Sequence, residues 1–522
     1  MAHTDKAIRR IPSVAFFALI FLTLMALHAP LLRLPYFWDE AGYYIPAARD
    51  LQLTGSLIPH STPSNAHPPL VMAWLALWWK LTGFTPLVTR TAMLMIAAFA
   101  LLGLFRLAQR IANVEVAVAS TICTGLYPVF FAQSSLGHVD LAAAGLIFWG
   151  LLAYFENRPG AVAAWFSLAV LAKETALLAP LALAGWELVR WQLGPRWKTD
   201  HALKRAGFLL FAVLPLAGWY AFHYLRTGYV LGNAEFFRYN VQATLHPLRI
   251  ALALLFRSWQ VVGYMNLYLL TAAGVMAMWR PPRREGSGER PRITPEVQFA
   301  LLAMIVVYVA ALAVVGGAVL ARYMLPVVPL GIIILISTLW RRVEYWRGVV
   351  LIVAAGFVVG WLVNPPHGFS IEDNLAYRDY ILLHEHAERF LEARYPMARV
   401  LTAWPANDEI SRPGLGYVTR PVRAVRIEDF RLEELMSAAD LRAGYDAALV
   451  FSTKYDPPHT LLENWHWWQS TKMRYFDYHR DVPPQAAAQI LGGEIVYSET
   501  RNGQWIAVIE MQRVVEAGVN RP

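Results

Sequence analysis

Between residues 11 and 363 the chain alternates long apolar runs with short basic stretches. About 20 apolar residues make a helix long enough to cross a bilayer core. That yardstick predicts spans near 11–32, 86–110, 114–132, 139–155, 160–172, 174–190, 206–225, 260–279, 297–316, 321–340 and 347–363. The fifth is short, and it is kept apart from the sixth at Lys173-Glu174 by the charge pattern. With the amino terminus in the cytoplasm, inside loops carry Arg106 and Arg110, then Arg158, then Arg190, Arg196, Lys198, Lys204 and Arg205. Arg280, Arg283, Arg284, Arg290 and Arg292 follow, and then Arg341, Arg342 and Arg347, a positive-inside distribution. Merging the two spans would send the basic stretches 190–205 and 280–292 outside. An odd number of spans leaves the carboxyl terminus outside.

Two outside segments exceed simple turns. The first, 33–85, holds a helical stretch ending at Gly55 and an amphipathic one around Trp74, Trp78 and Trp79, suited to the membrane interface. The second, 226–259, is aromatic and basic. The Arg/Pro/Gly-rich stretch 280–295 reads as a flexible cytoplasmic loop. After Val363, Asn364-Pro365-Pro366 marks a linker, and the composition shifts to that of a soluble domain. Helices at 376–394 and 428–442 and strands at 399–404, 447–452, 493–498 and 505–511 are expected there. The fold class is thus a multi-span α-helical membrane protein of about 11 spans with a carboxyl-terminal soluble α/β domain. The expected boundaries are 1–363 for the membrane domain and 364–522 for the second.

Composition narrows this further. A hydrophobic share of 57% against 16% charged excludes a string of soluble domains. The net charge of +9 lies between apolar runs, so it speaks for topology and anionic lipid headgroups, not nucleic acid. Cys123 is the single cysteine, so there is no disulfide framework. Lys6, Arg9 and Arg10 precede a first run too long for a signal-peptide core, which reads as a retained span.

Five short elements carry candidate chemistry, and all fall on the outer side of the expected topology. Trp38-Asp39-Glu40 follows the first span. Two carboxylates at a membrane surface are costly without a role, although a solvated pair at a span end is the plain alternative. Neighbouring side chains point apart, so one acid can act while the other braces the loop. His67-Pro68-Pro69 fixes a histidine at the start of the Trp-rich helix, or is simply a loop. His138 and Asp140 open the fourth span, where Asp140 also suits a helix amino terminus. Lys173-Glu174 is either an adjacent ion pair or a phosphate contact. Arg322-Tyr323 begins the tenth span, where the arginine can snorkel or grip a phosphate with two donors. Phosphate loops, zinc-spaced Cys/His sets and nucleophile elbows do not occur in the sequence.

These elements resemble those of the GT-C glycosyltransferases, in the branch of protein O-mannosyltransferases, lipid A aminoarabinose transferases and bacterial family 39 relatives. The likeness covers roughly 11–363: an Asp-Glu in the first outer loop, then Pro-Pro-Leu, an Asp entering the fourth span, a Lys in the next outer turn and a late Arg-Tyr-x-x-Pro. The resemblance implies a polyprenyl-phosphate sugar donor, a lipid, glycan or protein acceptor, and a multi-pass protein of the bacterial inner membrane with a periplasmic carboxyl-terminal domain. It places the catalytic carboxylate at Asp39, beside Glu40. Aminoarabinose transferases have a lysine where this chain has His67, and the tail is unlike the β-trefoil of eukaryotic mannosyltransferases.

The chemistry fits the inventory. A lipid-phosphate sugar carries its own leaving group, so a base for the acceptor hydroxyl and cations for the departing phosphate suffice. Asp39 is the base candidate, and Arg322, Lys173 and His67 are the phosphate candidates. Asp140, His138 and Tyr323 are expected near the acceptor or a metal, and one displacement predicts inversion. Whether a divalent ion, Mg or Mn, bridges Asp39 and Asp140 to the phosphate stays open. The rival readings are a transporter or lipid flippase, and a non-catalytic polyprenyl-binding assembly protein.

Overall fold

The computed structural model describes residues 13–193, 202–234, 237–238, 241–286, 288–457 and 465–512. Lys6, Arg9, Arg10, Arg196 and Lys198 of the expected inside charges lie outside them. The chain divides into two compact units. One takes in the described residues up to Arg33, Tyr43–Pro365 and Glu372–Leu375, and the other Leu34–Gly42, Pro366–Ile371 and the residues from Ala376 on. The division departs from a single cut after residue 363, because 34–42, with Asp39, packs with the carboxyl-terminal unit.

The first unit is helical, and prolines set many of its helix starts. Pro86, Pro128, Pro159, Pro247 and Pro295 each begin a helix, where the missing N–H costs nothing. Thr85 caps Pro86–Ile111 by accepting from the Val88 N–H at 3.3 Å. That helix is central, with Ala92, Leu94, Ala97 and Leu104 fully buried. It approaches Asp140–Phe155 closely, and a Cβ on Gly145 would lie 2.7 Å from that of Ala100. Small residues at such a crossing let backbones meet.

Every expected span has a helix over it, yet the elements are more broken than the apolar pattern suggested. Among the described residues, four helices are long and apolar enough to cross a membrane: Ser13–Leu31, Pro86–Ile111, Ala202–Thr227 and Pro295–Val314. A fifth results if Pro247–Val262 and Leu267–Met278, bent by 76°, are one span. The segment 226–259 is therefore not all loop, since its second half is helical. The sixth and tenth expected spans open with short 3₁₀ turns, Glu174–Leu177 and Ala321–Met324. The 280–295 stretch is not a free loop either. Arg284–Glu285 pairs with Gly288–Glu289, and the Arg341 guanidinium ties to Glu289 at 2.8 Å and to the Arg290 carbonyl at 2.9 Å.

The second unit is an α/β layer. Its strands are β1 (Arg399–Ala403), β2 (Arg423–Ile427), β3 (Ala447–Phe451), β4 (Gly493–Arg501) and β5 (Gln504–Met511). Their order is β2-β1-β3-β5-β4, parallel within the first three and antiparallel for the rest. The fully buried run of β3 matches a central strand. Helix Ala376–Arg394 matches its expected bounds, and the 428–442 helix shortens to Leu432–Asp440. Strand β2 and helices Ala406–Ser411, His466–Phe476 and Pro484–Leu491 were not anticipated.

Candidate functional site

In the first unit three 3₁₀ or loop segments converge. Gln133–Asp140 leads into helix Asp140–Phe155, Lys173 ends helix Pro159–Ala172, and Arg322 sits in the Ala321–Met324 turn. Lys173 donates to Asp140 Oδ1, and Arg322 Nε stands 3.4 Å from Asp140 Oδ2. The same guanidinium pairs through Nη1 with Glu372 and meets His138 Nδ1 at 3.1 Å. Gln133 closes the ring, its Oε1 2.8 Å from His138 Nδ1 and its amide donating to the Glu372 carbonyl at 3.1 Å. Asp140, Lys173, Arg322 and Glu372 are all at most 5% exposed. Buried charges survive only when paired in this way.

The positive members gather on one aromatic ring. Lys173 Nζ lies 3.9 Å from the Tyr323 centroid, and the guanidinium carbons of Arg257 and Arg322 lie at 5.3 and 5.7 Å. Arg257 is held by the Gln260 side chain at 3.0 Å and by the carbonyls of Leu320 and Ala318. Arg90 donates to the Ser135 carbonyl at 3.0 Å. Burial first, and then Arg322, Arg90 and Lys173, hold the His138 imidazole well below the usual histidine range, so it is neutral. Its Nε2 is buried with no partner among the described residues.

Burial pushes Asp373 up to about 7, despite a hydrogen bond from the Tyr264 hydroxyl at 2.6 Å and the pull of Arg322 and Arg257. At neutral pH it is only partly charged, so the cluster carries more positive than negative charge. Such a cluster can take an anion.

Each motif read from the sequence has a definite place. Lys173 and Glu174 turn to separate partners, Lys173 to Asp140 and Glu174 to His67 Nδ1 at 2.8 Å. The Tyr44 ring is 5.8 Å from those of both His67 and His138. The two oxygens of Asp140 already face Lys173 and Arg322, so this residue does not suit a divalent ion. Arg322 is not a snorkelling anchor, since both its carboxylate partners are buried with it.

Asp39 and Glu40 belong to the second unit. The 34–42 segment lies along the Ala376–Arg394 helix and the loops near Trp404 and Leu415. Phe37 meets Tyr380 edge-on at 5.3 Å, and Trp38 touches Tyr380 and Trp404 at 5.5 and 5.3 Å. A Cβ on Gly42 would fall 2.4 Å from the Trp404 indole nitrogen, so only glycine fits. Glu40 is fully buried and its Oε2 accepts from the Phe37 N–H at 2.8 Å, so this acid braces the loop. Asp39 is only half-buried. Trp38, just before it, holds a left-handed φ of 44°, a strained state that packing must enforce.

Sequence reasoning missed Arg90, Arg257, Glu372 and Asp373. Arg90 stood inside a predicted span, where an ionisable residue is itself a functional signal. Arg257 stood in the supposed loop, and the two acids were counted with the carboxyl-terminal domain, 364–522.

No family model matches the chain, and no curated protein matches it in sequence. Solved structures do match. ArnT from Cupriavidus metallidurans bound to undecaprenyl phosphate is similar over 95% of this chain and 97% of that one, at 12% identity and a TM-score of 0.53. The same protein in the apo state gives 13% identity and 0.51 over the same shares. AglB from Archaeoglobus fulgidus, with an inhibitory peptide and a dolichol-phosphate, is a looser likeness at 10% identity and 0.45, over 97% of this chain and 75% of that one. The chain therefore has the fold of ArnT, in keeping with the GT-C resemblance carried by its motifs.

Proposed function

We propose that this chain is an integral-membrane glycosyltransferase that moves a sugar from a polyprenyl-phosphate donor to an acceptor hydroxyl outside a bacterial inner membrane. The observation that carries this reading is the set of three cations, Lys173, Arg257 and Arg322, around the Tyr323 ring. A phosphate needs such a cluster, and a membrane protein does not bury one without use. The similarity to ArnT, which was solved with undecaprenyl phosphate, supports a lipid phosphate as the anion. The eleven spans, with the amino terminus inside and the second unit outside, are part of the proposal and rest on the basic loops.

In the reaction the acceptor oxygen attacks the anomeric carbon as the bond from that carbon to the phosphate oxygen breaks. Asp39 takes the hydroxyl proton, and the bonding pair leaves on the phosphate, giving polyprenyl phosphate and an inverted glycoside. Base catalysis of this kind contributes ~10²–10⁴-fold. Lys173, Arg257 and Arg322 stabilise charge growing on the leaving group, while Asp140 and Glu372 hold two of them in place. His67, held by Glu174, is a further phosphate contact, and Tyr323 and His138 line the same region.

The test is transfer by purified protein from radiolabelled undecaprenyl-phosphate sugars to envelope extracts, with products identified by mass spectrometry. Asp39→Asn should lower turnover by about 10²-fold or more while leaving donor binding intact. Glu40→Gln keeps an acceptor for the Phe37 N–H and should cost far less. Wild-type turnover in Asp39→Asn removes the base assignment. Donor crossing vesicle membranes without any transfer would favour the flippase reading.

A further inference from the structure

A second polar cluster lies wholly within the carboxyl-terminal unit and has no part in the chemistry above. His384 and Glu388 stand one turn apart on helix Ala376–Arg394, so both point the same way. Glu409 reaches them from helix Ala406–Ser411. His384 Nδ1 is 2.7 Å from Glu409 Oε2 and 3.3 Å from Glu388 Oε1, and one donor atom from each residue falls within 4.8 Å of the others. All three side chains are at most 1% exposed.

The cluster is under-satisfied. Glu388 Oε2 and Glu409 Oε1 are buried without a hydrogen-bond partner among the described residues. So is the hydroxyl of Tyr380, whose ring lies flat on the His384 imidazole at 3.9 Å and which feels both carboxylates. Three unpartnered oxygens on fully buried side chains are costly, because each has lost its water without gaining a partner. We infer that His384, Glu388 and Glu409 bind one divalent transition-metal ion.

Two carboxylates, a neutral imidazole and a divalent cation sum to zero charge, which suits a dry interior. One nitrogen and two oxygens match zinc or manganese rather than calcium or copper. Ligand atoms around tetrahedral zinc lie about 3.3 Å apart, given bonds near 2.0–2.2 Å; His384 Nδ1 to Glu388 Oε1 is at that spacing, and His384 Nδ1 to Glu409 Oε2 is shorter at 2.7 Å. The ion would be structural, because the site has no exposed ligand for a substrate. Its position matters, since Tyr380 also packs against Phe37 and Trp38 of the segment that carries Asp39. The competing arrangement has no ion. Burial and the neighbouring Glu409 raise Glu388 well above the carboxylate range, and that acid then holds a proton.

The two arrangements separate by metal content. Full-length protein carrying a metal-free affinity tag is purified from cells grown with added zinc and manganese, then analysed by plasma mass spectrometry. The expected result is close to one equivalent per chain, retained through chelator washing and lost in Glu409→Gln and His384→Asn. Glu388→Gln decides the case even if those variants fold poorly. It mimics a protonated acid, so it leaves thermal stability unchanged without an ion, and lowers both stability and metal content with one. A folded wild type with under a tenth of an equivalent overturns the site. An ion that persists in all three variants overturns it as well.

Discussion

Arg322 offers the sharpest test, because its structural and binding roles can be separated. Arg322→Ala leaves Glu372 without the guanidinium at a site 4% exposed, while Asp140 keeps Lys173. Removing one partner of a buried pair costs about 3–5 kcal/mol, mostly from the stranded charge. Adding Glu372→Gln removes that charge, so the double variant should lose only Arg322's hydrogen bonds, about 1–2 kcal/mol. The double variant should then be about 2–3 kcal/mol more stable than Arg322→Ala alone, read as several degrees of melting temperature in detergent. Undecaprenyl phosphate binding should behave differently. It should fall at least tenfold in the single variant and stay low in the double, because the phosphate contact is lost in both. Arg322→Lys should fall between, keeping charge but not the two-donor fork. An unchanged melting temperature in Arg322→Ala refutes the buried pairing. Recovery of binding together with stability in the double variant would mean that Arg322 serves only Glu372.

Two further outcomes follow from buried acids and charge distribution. Asp373 has a folded pKa of about 7, above its unfolded value of 3.8, so the folded state holds the extra proton between them. Its contribution is fully present below the unfolded value and is lost as pH rises through 7, at up to about 1.4 kcal/mol per unit. Asp373→Asn should flatten the decline in melting temperature between pH 5 and 8, and an unaltered slope would refute the assignment. Reporter tags at 285–288 should be cytoplasmic and tags after residue 400 exterior. A cytoplasmic tail would defeat the proposed topology.

The apolar pattern by itself determined where helices form, because a run of Leu, Val and Ala has one good conformation in a bilayer and proline marks its start. It also determined the helices and strands of the tail whose faces are buried, such as Ala376–Arg394 and β3. Edge strand β2 was hidden, since its Arg-Ala-Val-Arg-Ile sequence faces solvent in part and shows little alternation. Helix breaks were hidden too, as at 263–266, where Met265 and Asn266 take positive φ inside the expected span 260–279.

For the site, sequence marked Asp39, Glu40, His67, Asp140, Lys173 and Arg322 by charge in the wrong company, but not which acid meets which cation. Lys173 and Glu174 are neighbours in the chain, yet the fold sends one to Asp140 and the other to His67. Arg322 meets Glu372 across 50 residues, and His384 meets Glu409 across 25. Pairings at such separations depend on how helices cross and where linkers return. Those are set by packing of whole elements, which no local period encodes. What a residue can do was therefore written in its type and its surroundings in the chain, and whom it does it with was decided by the tertiary structure.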